Sequence, residues 1–175
     1  MLAGVAVVAL SDGDIEELLV SRTPDAHRLA TWILRDPAAA EDAVQEAAMA
    51  AWDGRRKLRH AENPAAWFTK IVVNVCRDEL RRRSKRRLLP EPPASIAGGL
   101  PDLLAVRDEI GRAVARLSAD EQLVIGLRFG RDLTVPQIAA YTGLAEGTVK
   151  SRLHHSLEHV RSALAAERRA EEPRR

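Results

Sequence analysis

A single cysteine, Cys76, stands in this chain of 175 residues, so neither an internal disulfide nor a cysteine-based zinc site can be built. Aromatics are almost as scarce, at 3% of the sequence, against abundant Ala, Leu, Val, Arg and Glu. That balance argues against a β-sandwich and for an all-α protein. Long apolar runs are missing too. Residues 2–10 are apolar, but a bilayer-crossing helix needs roughly 20 such residues, and no Lys or Arg precedes them as in a secretory signal. The expectation is a cytoplasmic protein with no membrane partner, a short N-terminal extension over residues 1–11, and one ordinary domain or two small helical ones.

A net charge of +2 hides strong segregation. Residues 11–54 carry three Arg against ten Asp or Glu, whereas residues 55–87 carry twelve Lys or Arg against three acids. An acidic block repels a phosphate backbone and a dense basic block attracts it through counterion release. Two different partners are implied, one basic and one a nucleic acid.

The stretch from Leu133 to Leu164 has the punctuation of a helix-turn-helix. Thr134 and Gln137 form a T-x-x-Q capping box, Pro136 sits in the first turn where its missing N–H costs nothing, and Gly143 suits a left-handed helix end. A second helix begins near Glu146. Its apolar residues Val149, Leu153, Leu157, Val160 and Leu164 recur at helical spacing as one buried stripe. The opposite face carries Glu146, Lys150, Ser151, Arg152, His154 and His155, donors and acceptors suited to base edges and phosphates in a major groove.

Upstream, Ser11 and Asp14 open a helix to about Arg35, with Pro24 as a break or kink. Asp36 and Pro37 open a second, to about Trp52, whose buried stripe is Ala40, Val44, Ala47, Ala48, Ala51 and Trp52. Glu41, Asp42, Gln45, Glu46 and Met49 are left outward as an acidic face. Arg55 to Glu62 reads as a polar loop. Asn63 caps a third helix, with Pro64 at its first position. Trp67, Phe68, Ile71, Val72, Val75, Cys76 and Leu80 pack inward there, while Lys70, Asn74, Arg77 and Arg81 form an exposed stripe that continues into the basic run Arg81–Arg87. Leu88 to Pro101, rich in proline and glycine, reads as a flexible linker. Beyond it, Leu103–Leu117 is a helix with Leu103, Val106 and Ile110 on its inward side. Ser118 and Glu121 open another, which Gly130 ends, and the charged tail after Ala165 is too polar to pack.

Taken together these residues resemble the extracytoplasmic-function group of RNA polymerase sigma factors, and the resemblance covers about residues 12–165. AEDAVQEAAMAAW (Ala40–Trp52) is similar to the family's AED-x-x-Q-E signature, NPAAWFTKIVVNVCRDELRRR (Asn63–Arg83) to its promoter-melting helix, and GTVKSR (Gly147–Arg152) to its −35 reader. The resemblance implies two small helical domains: region 2 over residues 12–84 and region 4 over 102–165, joined by a linker over 85–101 and followed by a tail over 166–175. It implies that Asp42, Gln45 and Glu46, with their neighbours Glu41 and Met49, grip core polymerase. Arg56, Lys57, Arg59, His60, Glu62 and Asn63 would shape the −10 capture pocket beside Lys70, Asn74, Arg77 and Arg81. Glu146, Thr148, Lys150, Ser151, Arg152, His154 and His155 would read the −35 element, with Arg152 a phosphate or packing residue. Partners implied are core RNA polymerase, through its β′ clamp helices and β flap, promoter DNA and an anti-sigma factor, with no cofactor, no metal and no catalysis. Ala145 stands where the family usually has a serine cap, which weakens the start of the reading helix by about 0.5–2 kcal/mol.

Two rivals start from the same residues. A repressor or activator with a helix-turn-helix accounts for residues 134–164 but gives no reason for an acidic Q-E helix beside a basic one. A metal hydrolase has His155 and His159 four apart on one helix face, yet H-S-L-E-H lacks the H-E-x-x-H order and no third ligand suggests itself.

Overall fold

A computed structural model describes residues 10–58, 61–86 and 109–171. In chain order the helices are α1 (Asp12–Leu34), α2 (Pro37–Asp53), the one-turn α3 (Arg55–Leu58), α4 (Pro64–Arg86), α5 (residues 109–115), α6 (Ala119–Gly130), α7 (Val135–Thr142) and α8 (Glu146–Glu171). Among the described residues there is no strand, so the chain is all-α as expected.

The helices begin where their capping chemistry places them. Ser11 donates its backbone N–H to Asp14 Oδ2 at 2.8 Å and accepts the Asp14 N–H on its hydroxyl at 3.2 Å. Ser118 and Glu121 repeat this reciprocal pair at α6, and Asn63 Oδ1 accepts the Ala66 N–H at α4. Each bond satisfies a first-turn group that no helical partner can reach. Gln137 Oε1 accepts both the N–H and the hydroxyl of Thr134 at α7, and Gly143 closes that helix at φ 72°, in the left-handed region.

Core residues pack first within each half of the chain. α1, α2 and α4 bury Leu29, Ile33, Ala40, Val44, Ala47, Phe68, Val72 and Cys76, while α6, α7 and α8 bury Leu123, Val124, Leu127, Ile138 and Val149. The two sets then join into one contiguous apolar cluster, because α6 lies across α1 and α4 and α7 leans on α4. Each fully buried Val, Leu, Ile or Phe side chain contributes about 1.5–3 kcal/mol.

Several expectations change. Pro24 lies inside α1 without breaking it. The position is exposed, and nearby carbonyls are taken by side chains, Ser21 Oγ donating to the Leu18 carbonyl and Thr23 Oγ1 to that of Leu19. Trp52, expected in the core, is exposed, with the Arg55 guanidinium carbon 5.0 Å from its ring centroid. Ile110 is exposed instead of inward, and the polar loop after Gly54 begins with the helical turn of α3. Lys85 and Arg86 extend α4 into the expected linker, and α8 carries the expected tail on to Glu171 as helix. The linker from residue 87, together with Leu103 and Val106, lies outside the described residues. Gly130 ends α6 without a left-handed cap, since Arg131 follows at φ −132°. Its lack of a side chain serves packing: a Cβ there would sit 2.7 Å from the Cβ of Trp32.

Candidate polymerase and promoter interfaces

The acidic face of α2 is aimed by its own small residues. Ala40, Ala43, Val44, Ala47 and Ala51 are buried against α1 and α4, which turns Glu41, Asp42, Gln45, Glu46 and Met49 to solvent. Asp36 fixes the start of this helix: its Oδ1 accepts the Ala39 N–H at 3.1 Å and its Oδ2 accepts from Arg83 Nη2 at 2.9 Å. The Ala39 N–H and the Arg83 guanidinium hold the Asp36 carboxyl below its ordinary pKa, against the opposing effect of burial. Glu46 is also met from α4, by Arg82 Nη2 at 3.4 Å. Met49 and Trp52 add two large exposed apolar side chains to the same helix.

On α4, Lys70 and Asn74 point to solvent as expected. Arg77 and Arg81, further along the same stripe, turn to the other half of the molecule. Arg77 Nη2 donates to the Thr142 carbonyl at the end of α7 at 2.8 Å, and burial there lowers its pKa. Arg81 Nη2 lies 3.2 Å from Asp120 Oδ1. Of the basic run, Arg83 is folded back onto Glu79, Asp36 and the Leu34 carbonyl, and Arg82 onto Glu79 and Glu46. Both are structural in this arrangement. Arg56, Lys57, Glu62 and Asn63 are exposed around the start of α4, whereas Arg59 and His60 lie outside the described residues.

The first turns of α8 present Glu146, Thr148, Lys150, Ser151, His154 and His155 to solvent, because Val149 is fully buried and Leu153 and Leu157 half-buried on the other side. Arg152 is half-buried, and its Nη1 is 3.1 Å from Asp120 Oδ2. Ser156, which the sequence does not mark out, is fully buried and satisfied by the Arg152 carbonyl at 2.6 Å. His159 Nδ1 meets Glu121 Oε1 at 3.0 Å. Burial would raise Glu121, but hydrogen bonds from Ser118 and the nearby His159 outweigh it and keep the carboxyl below its ordinary range. Among the described residues no group of three His, Cys, Asp or Glu is arranged to hold a metal, which leaves His155 and His159 without a third ligand. No described helix is long and apolar enough to cross a membrane.

An acidic helix face, a basic helix and a helix-turn-helix on one all-α frame are the parts a DNA-binding regulator of transcription would need. Comparison with known proteins makes the class specific: residues 19–86 match sigma-70 region 2 and residues 113–162 match sigma-70 region 4. The ECF RNA polymerase sigma factor SigL of Mycobacterium tuberculosis is 33% identical over 165 residues, covering 85% of this chain and 90% of the relative. RNA polymerase sigma factor SigV of Bacillus subtilis is 32% identical over 144 residues, covering 82% and 86% respectively. The chain belongs to the ECF RNA polymerase sigma factors, which direct transcription initiation. Its fold is shared with the sigma factor RpoE of Bartonella quintana, solved with the anti-sigma factor NepR, at a TM-score of 0.64 and 24% identity over 87% of this chain and 97% of that one. CnrH, solved with the cytosolic domain of CnrY, superposes at a TM-score of 0.58 with 22% identity, over 93% of this chain and 92% of its own. A lone helix-turn-helix regulator does not account for the region 2 match, and that alternative falls away.

Proposed function

We propose that this chain works in the cytoplasm, without catalysis of its own, by dividing three tasks among α2, α4 and α8. The exposed face Glu41, Asp42, Gln45, Glu46 and Met49 docks on the β′ clamp helices of core polymerase, acids meeting a basic rim and Met49 supplying apolar area. The loop and turn carrying Arg56, Lys57, Arg59, His60, Glu62 and Asn63, with Lys70, Asn74, Arg77 and Arg81 along α4, hold the unpaired −10 strand. Extruding a base costs a few kcal/mol, which cationic contacts to the displaced strand offset. Glu146, Thr148, Lys150, Ser151, His154 and His155 enter the major groove at −35, with Arg152 beside them and the β flap holding this module on the enzyme.

The observation that carries this reading is the outward set of five side chains on α2, opposite the buried Ala40, Ala43, Val44, Ala47 and Ala51. An anti-sigma factor is a further partner of this reading, supported by the fold neighbour RpoE, solved with the anti-sigma factor NepR. Reconstitution with a bacterial core polymerase and sequencing of the transcript starts tests it. Defined start sites sharing −35 and −10 elements are expected; random initiation, or no association with core enzyme in low salt, would end it.

A further inference from the structure

His154 and His155 stand side by side on α8, both exposed, with ring centroids 5.8 Å apart and an interplanar angle of 55°. Consecutive helix residues are about 100° apart, so the pair straddles the line opposite the buried Val149. His154 follows Lys150 by one turn, and His155 follows Ser151. The outermost strip of the reading helix therefore ends in two imidazoles.

The charged groups around this pair are engaged elsewhere. Glu158, one turn beyond His154, takes Arg161 at 2.8 Å. From α6, Asp120 takes Arg152 at 3.1 Å and also Arg81 of α4 at 3.2 Å, while Glu121 takes His159 at 3.0 Å and closes the Ser118 cap. α7, the other helix packed on α8, carries no Asp, Glu, Lys, Arg or His. Lys150 is the remaining cation on the strip, with Glu146 a turn before it. Three histidines thus lie within six residues, and only His159 has a carboxylate partner among the described residues. The ring nitrogens of His154 and His155 are left for whatever occupies the groove.

Histidine is the side chain whose ordinary change of charge falls between about pH 5 and 8. A neutral imidazole offers one donor and one acceptor, whereas an imidazolium offers two donors and no acceptor. In a major groove the acceptor matches the amino groups of cytosine and adenine; donors match N7 and O6 of guanine. Gaining a proton therefore changes the base an imidazole suits. We propose that His154 and His155 are specificity-determining residues whose protonation alters which −35 sequences the chain selects, cytosine and adenine contacts giving way to guanine as pH falls. The inference rests on the placement of α8 at the −35 element.

The test reconstitutes the full chain with a bacterial core polymerase and transcribes a promoter library, randomised at −35 over a fixed −10 element, at about pH 6 and about pH 8. All promoters compete in one reaction, so effects of pH on the core enzyme cancel from the relative base preference. Wild type should move several-fold toward guanine at one or two positions at the lower pH. His154→Gln and His155→Gln should each remove part of that movement and the double variant all of it, because glutamine keeps a donor and an acceptor at either pH. His159→Gln should retain it, since that ring is held by Glu121. Thermal melts at both pH values report that each variant is folded. Wild-type preferences that superpose at the two pH values, or a movement that survives in the double variant, overturn the proposal and leave α8 at −35. Loss of any −35 preference at both pH values would remove that placement and the proposal with it.

Discussion

Replacing Asp36 with alanine removes two interactions of different kind from the start of α2, and the two can be separated. Its Oδ1 caps the Ala39 N–H at 3.1 Å, a bond whose loss costs about 1 kcal/mol. Its Oδ2 pairs with Arg83 at 2.9 Å, with 31% of each side chain exposed, so solvent screening leaves that pair about 0.5–1 kcal/mol. Asp36→Ala should therefore destabilise the chain by about 1.5–2 kcal/mol, or roughly 3–8 °C in Tm for a chain of this size. Asp36→Asn keeps a capping oxygen and should lose only the ionic share. A double-mutant cycle with Arg83→Ala isolates the pair from the bonds Arg83 makes to Glu79 and the Leu34 carbonyl. The sign with pH follows from the lowered pKa: the carboxylate's contribution is complete above the ordinary 3.8 and is lost as pH falls through the lower folded value. Wild type and Asp36→Asn should thus converge in acid. Urea unfolding of the five proteins, wild type, Asp36→Ala, Asp36→Asn, Arg83→Ala and the double mutant, at neutral and acidic pH is the assay. An Asn variant as unstable as the Ala variant, or a coupling of zero with Arg83, would refute the reasoning.

Other outcomes follow from the same geometry. Asp42→Lys should abolish binding to core polymerase in a gel-shift or anisotropy assay while leaving the thermal melt within about 0.5 kcal/mol, because the site is exposed. Lys150→Ala should relax base choice at one or two −35 positions in start-site profiles, with modest loss at the best promoters. Phe68→Ala should cost about 3–5 kcal/mol in chemical unfolding, since its ring is 1% exposed at the centre of α1, α2 and α4. Burial pushes the Cys76 thiol up to about 12, so an aromatic disulfide reagent at pH 8 should react only at the rate of unfolding, and rapid labelling would contradict its burial.

Local chemistry made the helices legible. Capping pairs such as Ser11/Asp14 and Ser118/Glu121, and the glycine at 143, act over three or four residues, so their signal is written in adjacent letters. The outward face of α2 is legible because Glu41, Asp42, Gln45 and Glu46 cluster on one side of the helix, although alanines such as Ala38 and Ala50 are exposed as well. What escaped was long-range. Trp52 looks like core by its spacing, yet it sits 38% exposed near the end of α2, with Arg55 over its ring. Gly130 reads as a helix stop, but its true neighbour is Trp32, nearly a hundred positions earlier. Arg77 and Arg81 lie on one stripe of their own helix, yet Arg77 is half-buried on the Thr142 carbonyl and Arg81, still exposed, pairs with Asp120, which no periodicity within α4 reveals. Arg82 and Arg83, two members of an apparently free basic run, are likewise claimed by acids on α2 and α4 and at the N-cap of α2.

From Glu146 to Glu171 α8 is one unbroken helix of 26 residues, about 39 Å from end to end. Its first turns and its far end are consequently a single lever. A fusion or probe attached near Glu171 inherits the orientation of Lys150 and His154 in whatever groove they occupy, and one residue inserted between them would swing that cargo by about 100° around the axis. The far end of α8 is a handle from which the angle of the reading helix on duplex DNA can be measured without touching a single contact.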